Sequence, residues 1–301
     1  MITRQRFNMP TTEVRNSAGD SIQLHEYNGK YYPLLPHIEG TLPQLPDLPC
    51  RDDDVMILTY PKAGTHWTWE IVNMLYAGDG QISSRRKGES MMEAVTVESL
   101  AALPSVRLLN THLPPEFYPK DLIKRKCKVI FVQRNPKDVY VSFFHHTKKF
   151  KPYDFKGDWN SYFLMAVEGK VDYGTWFDFT KQYEQFFSGH PDIPVLRLYF
   201  EDMKQDLPTE VEKICNFLGL SCEPSYRDKV VEKCGFQFMK NEKKIPESFM
   251  NTMVNGKEDP IFRKGIIGDW KSHFTVAQNE RFDQEYKQQM KGFSFPFEQY
   301  M

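Results

Sequence analysis

The sequence predicts the α/β class, because in three separate stretches an apolar run gives way to a turn and then to a helical pattern. Val55 to Leu58 read as a buried strand, Pro61 and Gly64 as turn residues, and Trp67 to Leu75 as a helix. Val129 to Val132 make a second core strand, Asn135-Pro136 turns the chain, and Lys137 to Phe144 have helical character. Pro194-Val-Leu-Arg-Leu-Tyr-Phe-Glu-Asp-Met is a third strand running into the start of a helix.

With 301 residues, 40% of them hydrophobic, the chain has material for a substantial core, in one large domain or two small ones. Its 39 basic and 40 acidic residues leave a net charge of −1, so there is no overall attraction to nucleic acid or to an anionic membrane. Any anion site must be a local arrangement. The start, Met-Ile-Thr-Arg-Gln-Arg-Phe-Asn, lacks an apolar signal core, and no run approaches membrane-spanning length. Five cysteines (Cys50, Cys127, Cys215, Cys222, Cys234), odd in number and without zinc-like spacing, point to reduced thiols in a cytoplasmic protein.

Residues 1–23 are polar and patternless and are expected to form a flexible arm, with residues 24–301 as the domain proper. From Leu24 to Tyr32 two short strands flank Asn28-Gly29, the dipeptide that best fits a tight hairpin turn. Prolines at 33, 36, 43, 46 and 49 then give an extended lead-in to the first core strand. In the strand-turn-helix of residues 55–75, free backbone N–H groups and the helix's partial positive charge converge on one point and suit a phosphate. Lys62 and Thr65 add a cation and a hydroxyl, but the Lys precedes the glycine, which is not the Walker A order.

Ala77 to Val95, with Ser83-Ser-Arg-Arg-Lys-Gly at its centre, reads as a solvated loop in which Met91 and Met92 offer adaptable apolar surface. Val106 to Pro114 is a strand that leaves His112 near its C-terminal end, where open parallel sheets bind ligands. Arg134, at the next strand's end, has a forked, permanent charge, and Ser142 adds a hydroxyl from the helix that follows. Residues 159–190 are helical and aromatic-rich, interrupted between Gly169 and Gly174. Val211, Ile214, Phe217 and Leu218 recur with helical spacing. Asn241 to Asp259 is polar, as a lid would be, and Arg263 and Lys264 set two cations beside Gly265, whose backbone can approach an oxyanion.

Several of these segments resemble the cytosolic sulfotransferases. Thr59-Tyr-Pro-Lys-Ala-Gly-Thr-His-Trp67 resembles their 5′-phosphosulfate loop, T-Y-P-K-S-G-T-T-W, with Ala63 in place of Ser and His66 in place of Thr. Arg134, Asn135, Asp138 and Ser142 follow the 3′-phosphate segment R-N-x-K-D-x-x-x-S, and Arg263 to Lys271 follow R-K-G-x-x-G-D-W-K. Thr111-His-Leu-Pro114 matches the catalytic T-H-L-P, although Asn110 stands where the family has a Lys and that cation is lost. Phe200 replaces the Tyr of Y-E-D-M; Cys234-Gly-Phe-Gln-Phe-Met239 resembles the adenine-wrapping T-S-F-x-x-M, keeping Phe236 but losing hydroxyls at Cys234 and Gly235. Lys271, Thr275, Val276 and Glu280 fit the dimerisation motif K-x-x-x-T-V-x-x-x-E.

The resemblance implies a single domain with a central parallel β-sheet flanked by helices, like a P-loop nucleotide kinase. It implies transfer of a sulfuryl group from 3′-phosphoadenosine 5′-phosphosulfate (PAPS) to a hydroxyl or amine of a small acceptor. The product is adenosine 3′,5′-bisphosphate (PAP), and no metal is required. His112 would be the general base and Lys62 would neutralise the leaving oxygen. Residues Ala63, Gly64, Thr65 and His66, with Thr68, would hold the 5′-phosphate; Arg134, Ser142, Arg263, Lys264 and Gly265 the 3′-phosphate. Trp67 and Phe236 would sandwich the adenine, near Phe200, Cys234, Gly235, Met239 and Phe262, while His146, Met91 and Met92 would border the acceptor. The alternatives are a magnesium-dependent small-molecule kinase of the P-loop type and a catalytically weak relative that binds nucleotide or ligand.

Overall fold

The computed structural model describes residues 9–82 and 84–301. Its strands are β1 (Thr11–Arg15), β2 (Ser21–Tyr27), β3 (Lys30–Tyr32), β4 (Val55–Thr59), β5 (Leu108–Thr111), β6 (Lys128–Gln133) and β7 (Val195–Tyr199). The longer helices and those near the site are α1 (Thr65–Ala77), α2 (Pro136–Lys149), α3 (Trp159–Val167), α4 (Trp176–Gly189), α5 (Phe200–Gln205), α6 (Leu207–Leu218), α7 (Pro224–Lys233), α8 (Phe236–Glu242) and α9 (Val276–Gln289).

The last four strands form a wholly parallel sheet in the order β5-β4-β6-β7. Parallel sheets are covered on both faces, so their strands are apolar throughout rather than alternating. Every residue of β4 is buried. Met56, Leu58, Val129 and Phe131 face the larger core, while Val55, Ile57, Ile130 and Val132 face the smaller one beneath α1 and α6. In register, Leu58 lies opposite Thr111 and Phe131, and Gln133 opposite Tyr199. The strands therefore end along one edge, and the residues just past those ends are the Tyr60–Gly64 loop, His112, Arg134 and Phe200. That edge is where parallel sheets bind ligands.

Asn28 and Gly29 both take positive φ, 51° and 72°, and turn β2 into β3 as expected. The chain between α3 and α4 breaks at Gly169 and Gly174, also as expected. Three stretches differ from the reading of the sequence. Of the arm expected over residues 1–23, residues 1–8 lie outside the described residues, while β1 pairs with β2 and buries Val14 against the larger core. The lead-in is not extended: Ile38–Thr41 and Leu42–Asp47 are short helices, because Ile38, Leu42, Leu45 and Leu48 recur between the prolines and all are fully buried. Finally, the polar run before Val95 is no open loop, since Lys87, Ser90, Met92 and Glu93 are buried and Met91 bridges to Asn110. Those contacts are long-range, and nothing in the local composition announces them. The polar stretch 241–259 carries the short helix Glu247–Met253, and Val254 pairs with Phe150 at the end of α2.

Candidate active site

The β4–α1 turn is shaped by two residues with positive φ, Lys62 at 69° and Gly64 at 118°. Gly64 caps α1 without a side chain, and a Cβ there would sit 3.4 Å from the Phe200 ring as well as in a conformation that L residues avoid. The first N–H groups of α1 have no intrahelical acceptors and open onto this turn. Thr65 turns its hydroxyl back to Thr59 Oγ1 at 2.7 Å. Thr68 does not join it, because its hydroxyl points to Met203 Sδ.

His112 is tied to the same turn. Its Nδ1–H donates to the Thr59 carbonyl at 2.9 Å, which leaves Nε2 as the unprotonated, accepting nitrogen. Glu93 holds the segment from the other side: Oε1 accepts from the His112 backbone N–H at 2.9 Å and Oε2 from Thr111 Oγ1 at 2.9 Å. Tyr173 donates to Glu93 Oε1 and sets its ring edge-on to the imidazole, with centroids 5.5 Å apart. Burial, with Lys87 and Lys62 adding their charges, keeps the His112 pKa well below its usual value, so the imidazole is neutral.

Cations crowd this point. Lys62 Nζ lies 3.3 Å from His146 Nδ1, and Lys87 Nζ lies 3.4 Å from His112 Nε2. Burial lowers Lys62 to about 7, with Lys87, Arg134 and Arg263 contributing, and lowers Lys87 to about 8. His146 and His66 are also pushed down, by the surrounding protein first and by neighbouring cations next. His66 is nonetheless an exposed residue. Mutual repulsion on this scale is relieved by a bound polyanion, and Arg134 Nε has no protein partner among the described residues. The site thus fits a phosphate- or sulfate-bearing ligand.

On the far side of the turn, Arg134 joins two segments. It donates to the Lys62 carbonyl at 3.2 Å and to the Ile266 carbonyl at 3.1 Å, with its guanidinium over the Phe200 ring. Asp138 accepts from Gly268 N at 2.7 Å and Trp270 N at 2.9 Å, so α2 carries the 263–270 turn on its first turns. Ser142 is half-buried farther along α2. Asp269 pairs with Arg263, and with Lys264 at 2.5 Å. Burial works to raise Asp269, but the two cations outweigh it and hold the carboxyl at about 2. Gly265, with φ 61°, must be glycine because a Cβ would collide with Phe236.

Of the residues expected around an adenine, Phe236 packs on Phe262 at 6.0 Å, and Trp67 meets Phe200 edge-on at 5.6 Å. Gly235 caps α8. Cys234 and Met239 are buried in the smaller core, the Cys234 thiol against Met74, and their side chains do not line the cleft. Cys234 acts through its carbonyl, which accepts from Trp67 Nε1 at 2.8 Å and orients that ring. Around the expected acceptor, His146 packs against Phe150 with centroids 4.2 Å apart and rings tilted by 37°, and Met91 Sδ accepts from Lys87, whereas Met92 is buried in the larger core and does not face the cleft. Lys87, Glu93, Thr59 and Tyr173 were not singled out from the sequence. Only Thr59, as the first residue of the turn motif, carried a local signal.

Over residues 52–294 the chain matches the sulfotransferase domain family. It is 37% identical to mouse sulfotransferase 1A1 over 284 residues, covering 89% of this chain and 95% of that protein. Against human sulfotransferase 1C2 the identity is 34% over 299 residues, covering 94% and 98%. A crystal structure of mouse sulfotransferase SULT7A1 complexed with PAP has the same fold, with a TM-score of 0.75 at 29% identity over 89% of this chain and 94% of that one. Retinol dehydratase in complex with androsterone and inactive cofactor PAP shares the fold at 21% identity, with a TM-score of 0.72 over 96% and 92%. These relatives give the kinase alternative no support. A domain match over most of the chain, on a sheet whose strand ends gather the residues of the sulfotransferase motifs, makes this protein a member of the sulfotransferase family.

Proposed function

We propose that the protein moves the sulfuryl group of PAPS to a hydroxyl or amine of a small, hydrophobic acceptor, with His112 as general base. The observation that carries this reading is the pair of hydrogen bonds made by Thr59: its hydroxyl meets Thr65 in the phosphate turn, and its carbonyl fixes the His112 tautomer. Base and donor loop are thereby held in one unit, and positioning is the larger part of catalysis in transfers of this type. The donor supplies the sulfuryl group and departs as PAP, the ligand of the mouse SULT7A1 structure.

His112 Nε2 takes the acceptor's proton, a role worth about 10²–10⁴-fold in rate. Lys62 offsets charge on the departing oxygen, and the α1 N-terminus with Thr65 holds the 5′-phosphate. Arg134, Ser142, Arg263, Lys264 and Gly265 take the 3′-phosphate, for which Arg263 and Lys264 must exchange part of their hold on Asp269. Phe150, which packs against His146, and Phe249 beside it offer the acceptor an apolar wall. The test is transfer from radiolabelled donor to a mixed acceptor library in the presence of a metal chelator. Transfer to a phenol, alcohol or amine supports the reading; a requirement for magnesium, or phosphoryl transfer from ATP instead, overturns it.

Two further points belong to this reading. All five cysteines are free thiols, which suits the reducing cytoplasm. Residues 271–280 would form a dimer contact: Val276 stands 77% exposed on the first turn of α9, with Lys271, Thr275 and Glu280 exposed around it. Val276→Glu should then give a monomer by light scattering, and a wild-type protein already monomeric at micromolar concentration would count against the contact.

A further inference from the structure

Asn110 stands where the family resemblance calls for a lysine, two residues before His112. The structure supplies another lysine in its place. Lys87 lies 25 residues upstream of His112, yet its Nζ is 3.4 Å from the imidazole Nε2. Asn110 itself fixes that arrangement. Its Nδ2 donates to the Lys87 carbonyl and to Ser90 Oγ, each at 3.0 Å, and its backbone carbonyl accepts from Met92 N at 2.9 Å. The residue that lacks the cation therefore anchors the segment that brings one. Lys87 is 6% exposed, and the carboxylate that supports its charge is that of Glu93. Burying an ammonium in that way is costly, and groups so placed in a cleft are characteristic of functional sites.

We propose that Lys87 is a catalytic residue of the transfer step, donating a hydrogen bond to the acceptor oxygen while His112 Nε2 removes its proton. This rests on the reading of His112 as the base. In the step, the acceptor O–H bond breaks and its proton goes to Nε2. The new O–S bond forms as the bond from sulfur to the donor's bridging oxygen breaks, and that electron pair leaves on the bridging oxygen. Lys87 keeps its own protons and stabilises charge on the acceptor oxygen. It also helps to keep the base neutral, since after burial its charge is the next cause of the low His112 pKa. The other charged or titratable groups facing the ring are Lys62, His66 and His146 in the cleft, with Glu93 and Tyr173 behind it.

Two measurements on the PAP-saturated protein test this for Lys87→Met, Lys87→Arg and Asn110→Ala. The first is NMR titration of His112, which needs no acceptor; the second is kcat with the acceptor found in the library screen. In Lys87→Met the titration midpoint should rise by at least about one pH unit. Its kcat at saturating donor should fall by about 10- to 100-fold. Lys87→Arg should recover much of both, and Asn110→Ala should show both changes in smaller measure, which decides the matter even if Lys87→Met does not fold. An unmoved midpoint and near-wild-type kcat in Lys87→Met or Asn110→Ala overturn the proposal. A dead His112→Ala beside a fully active Lys87→Met overturns it alone, whereas a fully active His112→Ala removes the general-base reading as well.

Discussion

Two groups of cations lie on either side of the β4–α1 turn, and they are kept in opposite ways. Arg134, Arg263 and Lys264 have carboxylates at hand: Asp138 is 4.0 Å from Arg134, and Asp269 holds the other two. Lys62 and Lys87 have, among the described residues, no carboxylate within ion-pair distance; Lys62 meets the His146 imidazole, and Lys87 the His112 imidazole and Met91 Sδ. In the first group the carboxyl of Asp269 is held at about 2, so charge persists at any working pH. In the second, burial brings Lys62 to about 7 and Lys87 to about 8, so charge is poised near neutrality. Permanent, paired charge suits a residue that must bind; unpaired, depressed lysines beside a neutral imidazole suit residues that must respond to a reaction.

The sharpest way to break that comparison is His112→Ala. It removes the proposed base from the second group and should lower kcat by about 10²–10⁴-fold while PAP affinity measured by calorimetry stays nearly intact. A variant keeping more than about a tenth of wild-type kcat would show that His112 is not the base. Next in size is the discrimination between PAP and AMP by the first group. Charge-assisted hydrogen bonds contribute about 1.5–3 kcal/mol each, so loss of two with the 3′-phosphate should cost about a hundredfold in affinity. Arg263→Ala should narrow that gap, and equal binding of PAP and AMP by the wild type would sink the assignment of the 3′-phosphate residues.

The two groups also differ in how far they could be read from the sequence. Arg134, Asp138 and Arg263 to Gly265 sit in contiguous motifs whose spacing survives because each is one strand end or one tight turn. The sheet then joins them, as Arg134 to the Ile266 carbonyl shows. Lys62, Thr65 and His112 were legible for the same reason. Lys87 was not, because it lies in a polar run and is placed by hydrogen bonds from Asn110, whose separation in sequence is large. Read locally, Asn110 marked only a missing cation. Cys234 and Met239 erred in the other direction: they occupy motif positions, but α8 and the end of α7 turn both side chains into the smaller core.

The pH dependence of PAP binding sharpens the contrast further. In the free protein Lys62 and Lys87 have pKa values lowered to about 7 and about 8, and an anion at the 5′-phosphate position favours their charged forms. Binding must then take up protons, so affinity should fall as pH rises from about 7 to 9, by up to about tenfold per pH unit for each lysine involved. Calorimetry in buffers of different ionisation enthalpy measures the uptake directly. Affinity that stays level over this range would mean that both lysines are charged throughout and that the two groups do not differ as described.

The smallest expected effect falls where the two groups meet. Phe200 lies against Gly64 of the turn, meets Trp67 edge-on, and carries the Arg134 guanidinium 4.0 Å above its ring. Those contacts use the face and edges of the ring, and a phenol hydroxyl at its far end leaves them in place. Phe200→Tyr should therefore keep the fold of the turn and add one neutral hydrogen bond towards the nucleotide. Such a bond contributes about 0.5–1.5 kcal/mol net, so PAP should bind roughly two- to tenfold tighter, with kcat nearly unchanged. Weaker binding would mean that the ring cannot accept an oxygen without shifting Arg134. Since Arg134 donates to the Lys62 carbonyl, that shift would appear as a lower kcat too, and the two groups would then be coupled through this one guanidinium.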